Sequence, residues 1–233
     1  MLKGILIDLD NTLYEYDVCH EYALDVAVQK ISSITNQKTD EIRLQYDQAK
    51  NLVKKTLKKT QSQGIASSHN RLLYFQKYFE TIGLTPIPVA LELYHLYWNS
   101  YLEKAVLFDG VIDFFEETKK RGLKVVVVTD LTADVQHQKI EKLGLGKYLD
   151  LIVTSEEAGV EKPNLEIFQL ALEKAELLAS EVCMIGDNYK KDIEGAVSAN
   201  IRAYYITSES REESEGVVSF TDFNQLAKLI FKN

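Results

Sequence analysis

The sequence predicts an α/β protein, a doubly wound and mainly parallel sheet with a helical insertion after its first strand. Short runs that are apolar throughout, such as GILI at Gly4–Ile7, VVVV at Val125–Val128 and VCMI at Val182–Ile185, alternate with stretches of helical apolar spacing. Strands without a polar face are what a parallel sheet covered on both sides requires. One long stretch near the N-terminus shows helical spacing only, and its charge differs from the rest. Glu15 to Ala105 carries 11 Lys and Arg against 10 Asp and Glu, net +1, which leaves −9 elsewhere. These features divide the chain into a core domain, 1–14 with 106–233, and an inserted four-helix domain, 15–105.

In chain order, GILI is the first strand. The insert follows with helices predicted over Asp17 to Ile34, Thr39 to Ser62, Arg71 to Ile82 and Val89 to Glu103; Tyr46, Ala49, Val53 and Leu57 mark the apolar stripe of the second. Beyond the insert come a helix from Val111 to Arg121, the Val125–Val128 strand, a helix from Ala133 to Leu143 and a strand at Leu151 to Val153. A helix from Leu165 to Lys174, the Val182–Ile185 strand and a helix from Lys191 to Ala199 come next. Strands at Ala203 to Ile206 and Val217 to Phe220 and a helix from Phe223 to Phe231 close the chain.

Composition narrows the class of function. Hydrophobic residues make up 45% of the 233, charged residues 27%, with 11 Gly and 3 Pro, an ordinary globular balance. A net charge of −8 argues against nucleic-acid or anionic-membrane partners, so an anionic substrate needs a local cation. Two cysteines, one of them Cys183 within an apolar run, argue against a disulfide framework. The apolar start is interrupted at Asp8, too early for a signal or spanning segment, so the expected location is cytoplasmic.

In open α/β sheets ligands sit beyond the carboxyl ends of the strands. There the sequence places Asp8-Leu9-Asp10-Asn11-Thr12, Thr129-Asp130 and Gly186-Asp187-Asn188, with Lys162-Pro163 in the loop after the Leu151–Val153 strand. Three carboxylates (Asp8, Asp10, Asp187) without His or Cys suit Mg²⁺ rather than zinc. An aspartate can attack phosphorus once cations neutralise the transferring oxygens, and Mg²⁺ with Lys162 would supply them. Asp8 and Asp10, two apart, point to the same side, so one can attack while the other handles the leaving-group proton.

Asp8-Leu9-Asp10-Asn11-Thr12, Thr129 after the valine run, Lys162-Pro163, and Gly186-Asp187 with Asp192 resemble the four ordered motifs of the haloacid dehalogenase-like (HAD) hydrolase superfamily over the whole chain. The insertion resembles that superfamily's C1 cap, as in its phosphoglycolate-phosphatase branch. The resemblance implies a Rossmann-like core and a Mg²⁺-dependent phosphatase acting on a small phosphorylated metabolite. It makes Asp8 the nucleophile and Asp10 the general acid/base, with a backbone carbonyl for the metal. Thr129 and Lys162 become phosphoryl-binding residues and Asp187 a metal ligand, with Asp192, Thr12 and Asn188 in support. Relatives that displace halide lack the second aspartate, so Asp10 favours phosphoryl chemistry. Asp130 stands where relatives often carry Asn, bringing a carboxylate near a site meant for an anion.

A phosphomutase or phosphonate hydrolase on the same core, or a non-catalytic phosphate-binding protein, would use the same motifs; retention of Asp10 speaks for turnover. In the insert, His69 and Arg71 are candidate substrate contacts, although helix capping by Ser68 or Asn70 accounts for that segment too. Lys50, Lys54 and Lys58, with Lys55 and Lys59 beside them, form a basic face that could steer a phosphorylated substrate, although a solvated helix face accounts for it more simply. The aromatic residues from Tyr74 to Trp98 read as bundle core. Oligomeric state is not legible.

Overall fold

The computed structural model describes residues 1–60, 69–207 and 216–231. The chain divides into two compact units, Met1–Glu15 with Val106–Asn233, and Tyr16–Ala105.

The second unit comprises α1 (Tyr16–Thr35), α2 (Thr39–Thr60), α3 (Arg71–Thr81) and α4 (Ile87–Lys104). In it α1 packs on α4 and α3 on both α2 and α4. The apolar stripes predicted from spacing become an aromatic interior: Tyr46, Tyr74, Phe75, Tyr78, Phe79 and Tyr97 are all buried. Tyr94 is only half-buried. The α3 start is capped by Asn70, whose side chain accepts from the Leu73 amide at 3.1 Å. The alternative cap, Ser68, lies outside the described residues, as do residues 61–62 of the second expected helix and the side chains of Lys58 and Lys59.

The first unit holds six strands, β1 (Gly4–Ile7), β2 (Lys124–Thr129), β3 (Leu151–Thr154), β4 (Val182–Gly186), β5 (Arg202–Ile206) and β6 (Val217–Phe220). They form one sheet in the order β3-β2-β1-β4-β5-β6, parallel throughout. This is the doubly wound class expected from the sequence. The helices of this unit are α5 (Val111–Lys120), α6 (Ala133–Lys142), α7 (Ser155–Ala158), α8 (Leu165–Ala175), α9 (Gly195–Ser198) and α10 (Phe223–Ile230). Side chains alternate across each strand, so Leu6, Val126, Val128 and Met184 meet Ile167, Phe168 and Ala171 of α8 on one face. On the other, α5 packs on β2 and Phe114 meets Phe223 of α10 edge-on at 5.5 Å. The chain segments on either side of the insert are tied together, Phe108 donating its amide to the Leu13 carbonyl at 2.9 Å.

Two elements differ from expectation. The helix expected from Lys191 to Ala199 begins as a widened π-helical turn over Tyr189–Glu194 and only then becomes α9. Such turns re-aim side chains and recur at functional sites. Residues Ser155–Ala158 form the unexpected α7, started by Thr154, whose hydroxyl accepts from the Glu157 amide at 3.2 Å. Thr154-Ser155-Glu156-Glu157 carries the T-x-x-E signature of a helix start. Among the described residues no helix is long and apolar enough to cross a membrane.

Candidate active site

The chain runs from β1 to β2 and β3 on one side and resumes at β4 on the other, so strand order reverses between β1 and β4. That is where a crevice opens in such sheets. Asp8 follows β1 there, its amide bonded to the Ile185 carbonyl at 2.9 Å, and Asp187 follows β4. The buried Lys162 ammonium donates to Asp8 Oδ1 at 2.5 Å, Asp192 Oδ1 at 2.6 Å and the Val128 carbonyl at 3.0 Å. All three of its hydrogens are thereby engaged. The Thr12 hydroxyl lies 3.2 Å from Asp8 Oδ2 and 3.1 Å from Asp187 Oδ1, one hydrogen serving two carboxylates.

Asp8, Asp187 and Asp192 bring carboxylate oxygens within 4.8 Å of one another. The π-helical turn turns Asp192 inward, and Gly186 makes room for it: a Cβ there would stand 2.5 Å from the Asp192 carboxylate. Asp192 Oδ2 also accepts from the Asn188 amide at 2.9 Å. Asn188 in turn starts the turn by accepting from the Lys191 amide at 3.0 Å. Burial pushes the Asp8 carboxyl well above the usual range, with Lys162 opposing and Asp192, Asp187 and Asp10 adding to the rise. Burial, then Asp192, pushes Asp187 up to about 6 against the Thr12 hydrogen bond and Lys162. Lys162 is itself disfavoured as a cation by burial, but Asp192, Asp8 and Asp130 outweigh that and raise its pKa. Three carboxylates against one ammonium leave surplus negative charge among hard oxygen donors, a set that fits a divalent cation such as Mg²⁺.

The Asp10 side chain lies outside that cluster. Its oxygens accept from Lys139 Nζ at 2.7 and 2.8 Å, from the Tyr14 hydroxyl and from Gln136 Nε2 at 3.4 Å. Gln136 also donates to Thr129 Oγ1 and to the Asp130 carbonyl, both at 2.6 Å. Lys139 and Gln136 are wholly buried. Neither they nor Tyr14 stood among the sequence candidates. A signal was present: Gln136, Lys139, Ile140 and Leu143 follow one helical stripe directly after Thr129, placing two polar residues on the inward face. Asn11 and Leu131, beside Asp10 and Asp130, hold left-handed backbone at φ 62° and 85°, a strained conformation for a non-glycine residue that clusters at functional sites.

Asp130 does not face an anion as an unmatched charge. Its Oδ1 accepts from the Lys162 amide at 3.0 Å and its Oδ2 from Lys191 Nζ at 2.5 Å, so it ties the Lys162 loop to the end of β2. In the helical unit, Arg71 is buried with its guanidinium bonded to the Tyr16 hydroxyl and lying over the rings of Tyr74, Tyr97 and Trp98. His69 is half-buried. His137 is exposed and belongs to no site.

Residues 2–200 match the family model of haloacid dehalogenase-like hydrolases. The chain belongs to that family. It is similar to a ribulose-1,5-bisphosphate 5-phosphatase of Halopiger xanaduensis, 34% identical over 94% of this chain and 90% of the other. It is also similar to a glyceraldehyde 3-phosphate phosphatase of Methanocaldococcus jannaschii, 32% identical over 84% and 81%. Among solved structures, a 2-haloacid dehalogenase from Pseudomonas syringae shares the fold with a TM-score of 0.77 at 20% identity, over 100% of this chain and 99% of that one. A haloacid dehalogenase-like hydrolase is thus the family that the four motifs resembled.

Proposed function

We propose that this hydrolase is a Mg²⁺-dependent phosphatase of a small phosphorylated metabolite, acting through an aspartyl-phosphate on Asp8. The observation that carries the reading is the Lys162 ammonium at 2.5 Å from Asp8 Oδ1 in a cluster with Asp187 and Asp192. That pairing holds a carboxylate nucleophile beside a cation where an anionic ester needs one. The phosphatase names of the relatives at 34% and 32% identity support it.

In this reading Asp8 attacks phosphorus, its oxygen bonding to phosphorus as the bond to the leaving oxygen breaks. Asp10, as the acid, gives its proton to that oxygen, and as the carboxylate then takes one from the water that hydrolyses the acyl phosphate. Thr129 and Lys162 hold the transferring oxygens; Gln136, on both Thr129 and Asp10, keeps the two in register. The Asp8 and Asp187 carboxylates and the Asp10 backbone carbonyl would hold Mg²⁺, with Asp192 in support. The ion would supply positive charge against the negative charge on the oxygens of the transferring phosphoryl group. We assign the helical unit, 15–105, to substrate selection, and the cytoplasm as the site of action.

Phosphate release from p-nitrophenyl phosphate, ribulose 1,5-bisphosphate and glyceraldehyde 3-phosphate with Mg²⁺ present tests the reading. Turnover of at least one by the wild type is expected, with none by Asp8→Asn of unchanged thermal stability. Wild-type rates in Asp8→Asn would remove Asp8 as the nucleophile.

A further inference from the structure

Among the described residues three cations are buried: Lys139, Lys162 and Arg71, the last only 5% exposed. The two lysines each meet a carboxylate, Asp10 for one, Asp8 and Asp192 for the other. Arg71 forms no ion pair among the described residues; its neighbours are the Tyr16 and Tyr97 hydroxyls, both hydrogen-bonded to it, and the rings of Tyr74, Tyr97 and Trp98 at 5.5, 5.4 and 5.9 Å. Ring faces and neutral hydroxyls offset only part of the cost of a desolvated guanidinium. Arg71 Nε and the Tyr46 hydroxyl, both buried, have no hydrogen-bond partner among the described residues. Tyr46 and Arg71 both lie against the Tyr74 ring, the Tyr46 ring at 6.3 Å between centroids and the guanidinium at 5.5 Å, and Arg71 opposes the effect of burial on the Tyr46 phenol. His20, bonded through Nδ1 to the Tyr97 hydroxyl at 2.6 Å, is held neutral by burial and by Arg71, its pKa lowered to about 3. A buried cation beside unpartnered donors, with no carboxylate paired to it among the described residues, has the form of an anion site.

We propose that Arg71 and the Tyr46 hydroxyl, framed by Tyr16, Tyr97 and Trp98, form an anion-binding site within the helical unit that takes a phosphate or carboxylate group. The group is that of a free anion, and its binding does not rest on the phosphatase reading.

Inorganic phosphate, titrated by calorimetry and thermal melting into full-length protein in chelator, tests the site without turnover. Phosphate raises the wild-type melting temperature, and Arg71→Gln abolishes the rise. Tyr46→Phe keeps the phosphate-free melting temperature, since its hydroxyl has no hydrogen-bond partner among the described residues, but weakens phosphate binding about tenfold. The absence of a wild-type rise, or equal rises in wild type, Arg71→Gln and Tyr46→Phe, overturns the proposal. If Arg71→Gln does not fold, Tyr46→Phe decides alone. Phosphate binding without hydrolysis of any ester would sink the phosphatase reading and leave the anion site standing.

Discussion

Asp8 and Asp10 lie two residues apart, yet their side chains are held by different partners. Lys162 takes Asp8, while Lys139, Tyr14 and Gln136 take Asp10. Their roles should therefore separate in kinetics. Asp10→Asn is expected to slow alkyl phosphates by about 10²–10⁴-fold, the usual worth of general acid catalysis, and p-nitrophenyl phosphate much less, because that leaving group needs no proton. Equal losses would count against the acid role. In the helical unit, burial and then Arg71 depress His20 to about 3, with Lys50 and Arg43 adding and Asp47 opposing. A depressed histidine contributes stability above its unfolded pKa, near 6.5, and that contribution is lost as pH falls toward 3, because only the unfolded chain takes up the proton. From pH 6.5 to 5 the loss should be about 1–2 kcal/mol. Melting curves of His20→Gln should be flatter over that window than those of the wild type; parallel curves would show that His20 is not held neutral.

At the scale of elements, the π-helical turn decides the shape of the acid cluster. A regular helix from Lys191 was the natural reading of the sequence; the extra residue in the turn aims Asp192 at Lys162 instead. Gly186 is the matching half of that device, since a methyl group would occupy the Asp192 position. Gly186→Ala is expected to cost about 1–3 kcal/mol as an overpacked site, seen as a loss of roughly 2–4 °C in melting temperature per kcal/mol. It should also lower kcat, because Asp192 can yield only by moving Lys162. Full activity in Gly186→Ala would show that the cluster tolerates another arrangement.

For the whole molecule, surplus negative charge at one sheet edge is the feature with the largest consequence. Mg²⁺ at about 100 times its dissociation constant should stabilise the protein by about 2.7 kcal/mol, roughly 5–10 °C, and chelator should remove both that gain and the activity. Asp187→Asn should reduce the gain, and melting curves indifferent to Mg²⁺ would reject the metal assignment.

How much of this was legible in the sequence depended on whether a signal is local. Runs such as Gly4–Ile7 and Val182–Ile185 announce buried parallel strands by themselves, because hydrophobicity on both faces leaves little else for four residues to do. The motif residues were visible because each stands just after such a run. Lys139 and Gln136 were not, since a polar residue on an inward helical stripe reads as noise until a partner 129 or 126 positions away is brought to it. Asp130 is a similar case: its type suggested a charge facing a substrate, and its partners make it a tether for Lys162. The sequence by itself determined the class of sheet, the helical insert and the acidic and basic residues at strand ends, through periodicity and order along the chain. Only the tertiary structure decided which of those charges meet, that Asp192 joins Asp8 and Asp187, and that Arg71 is buried with no carboxylate partner among the described residues, because desolvation and pairing depend on distances that no spacing encodes.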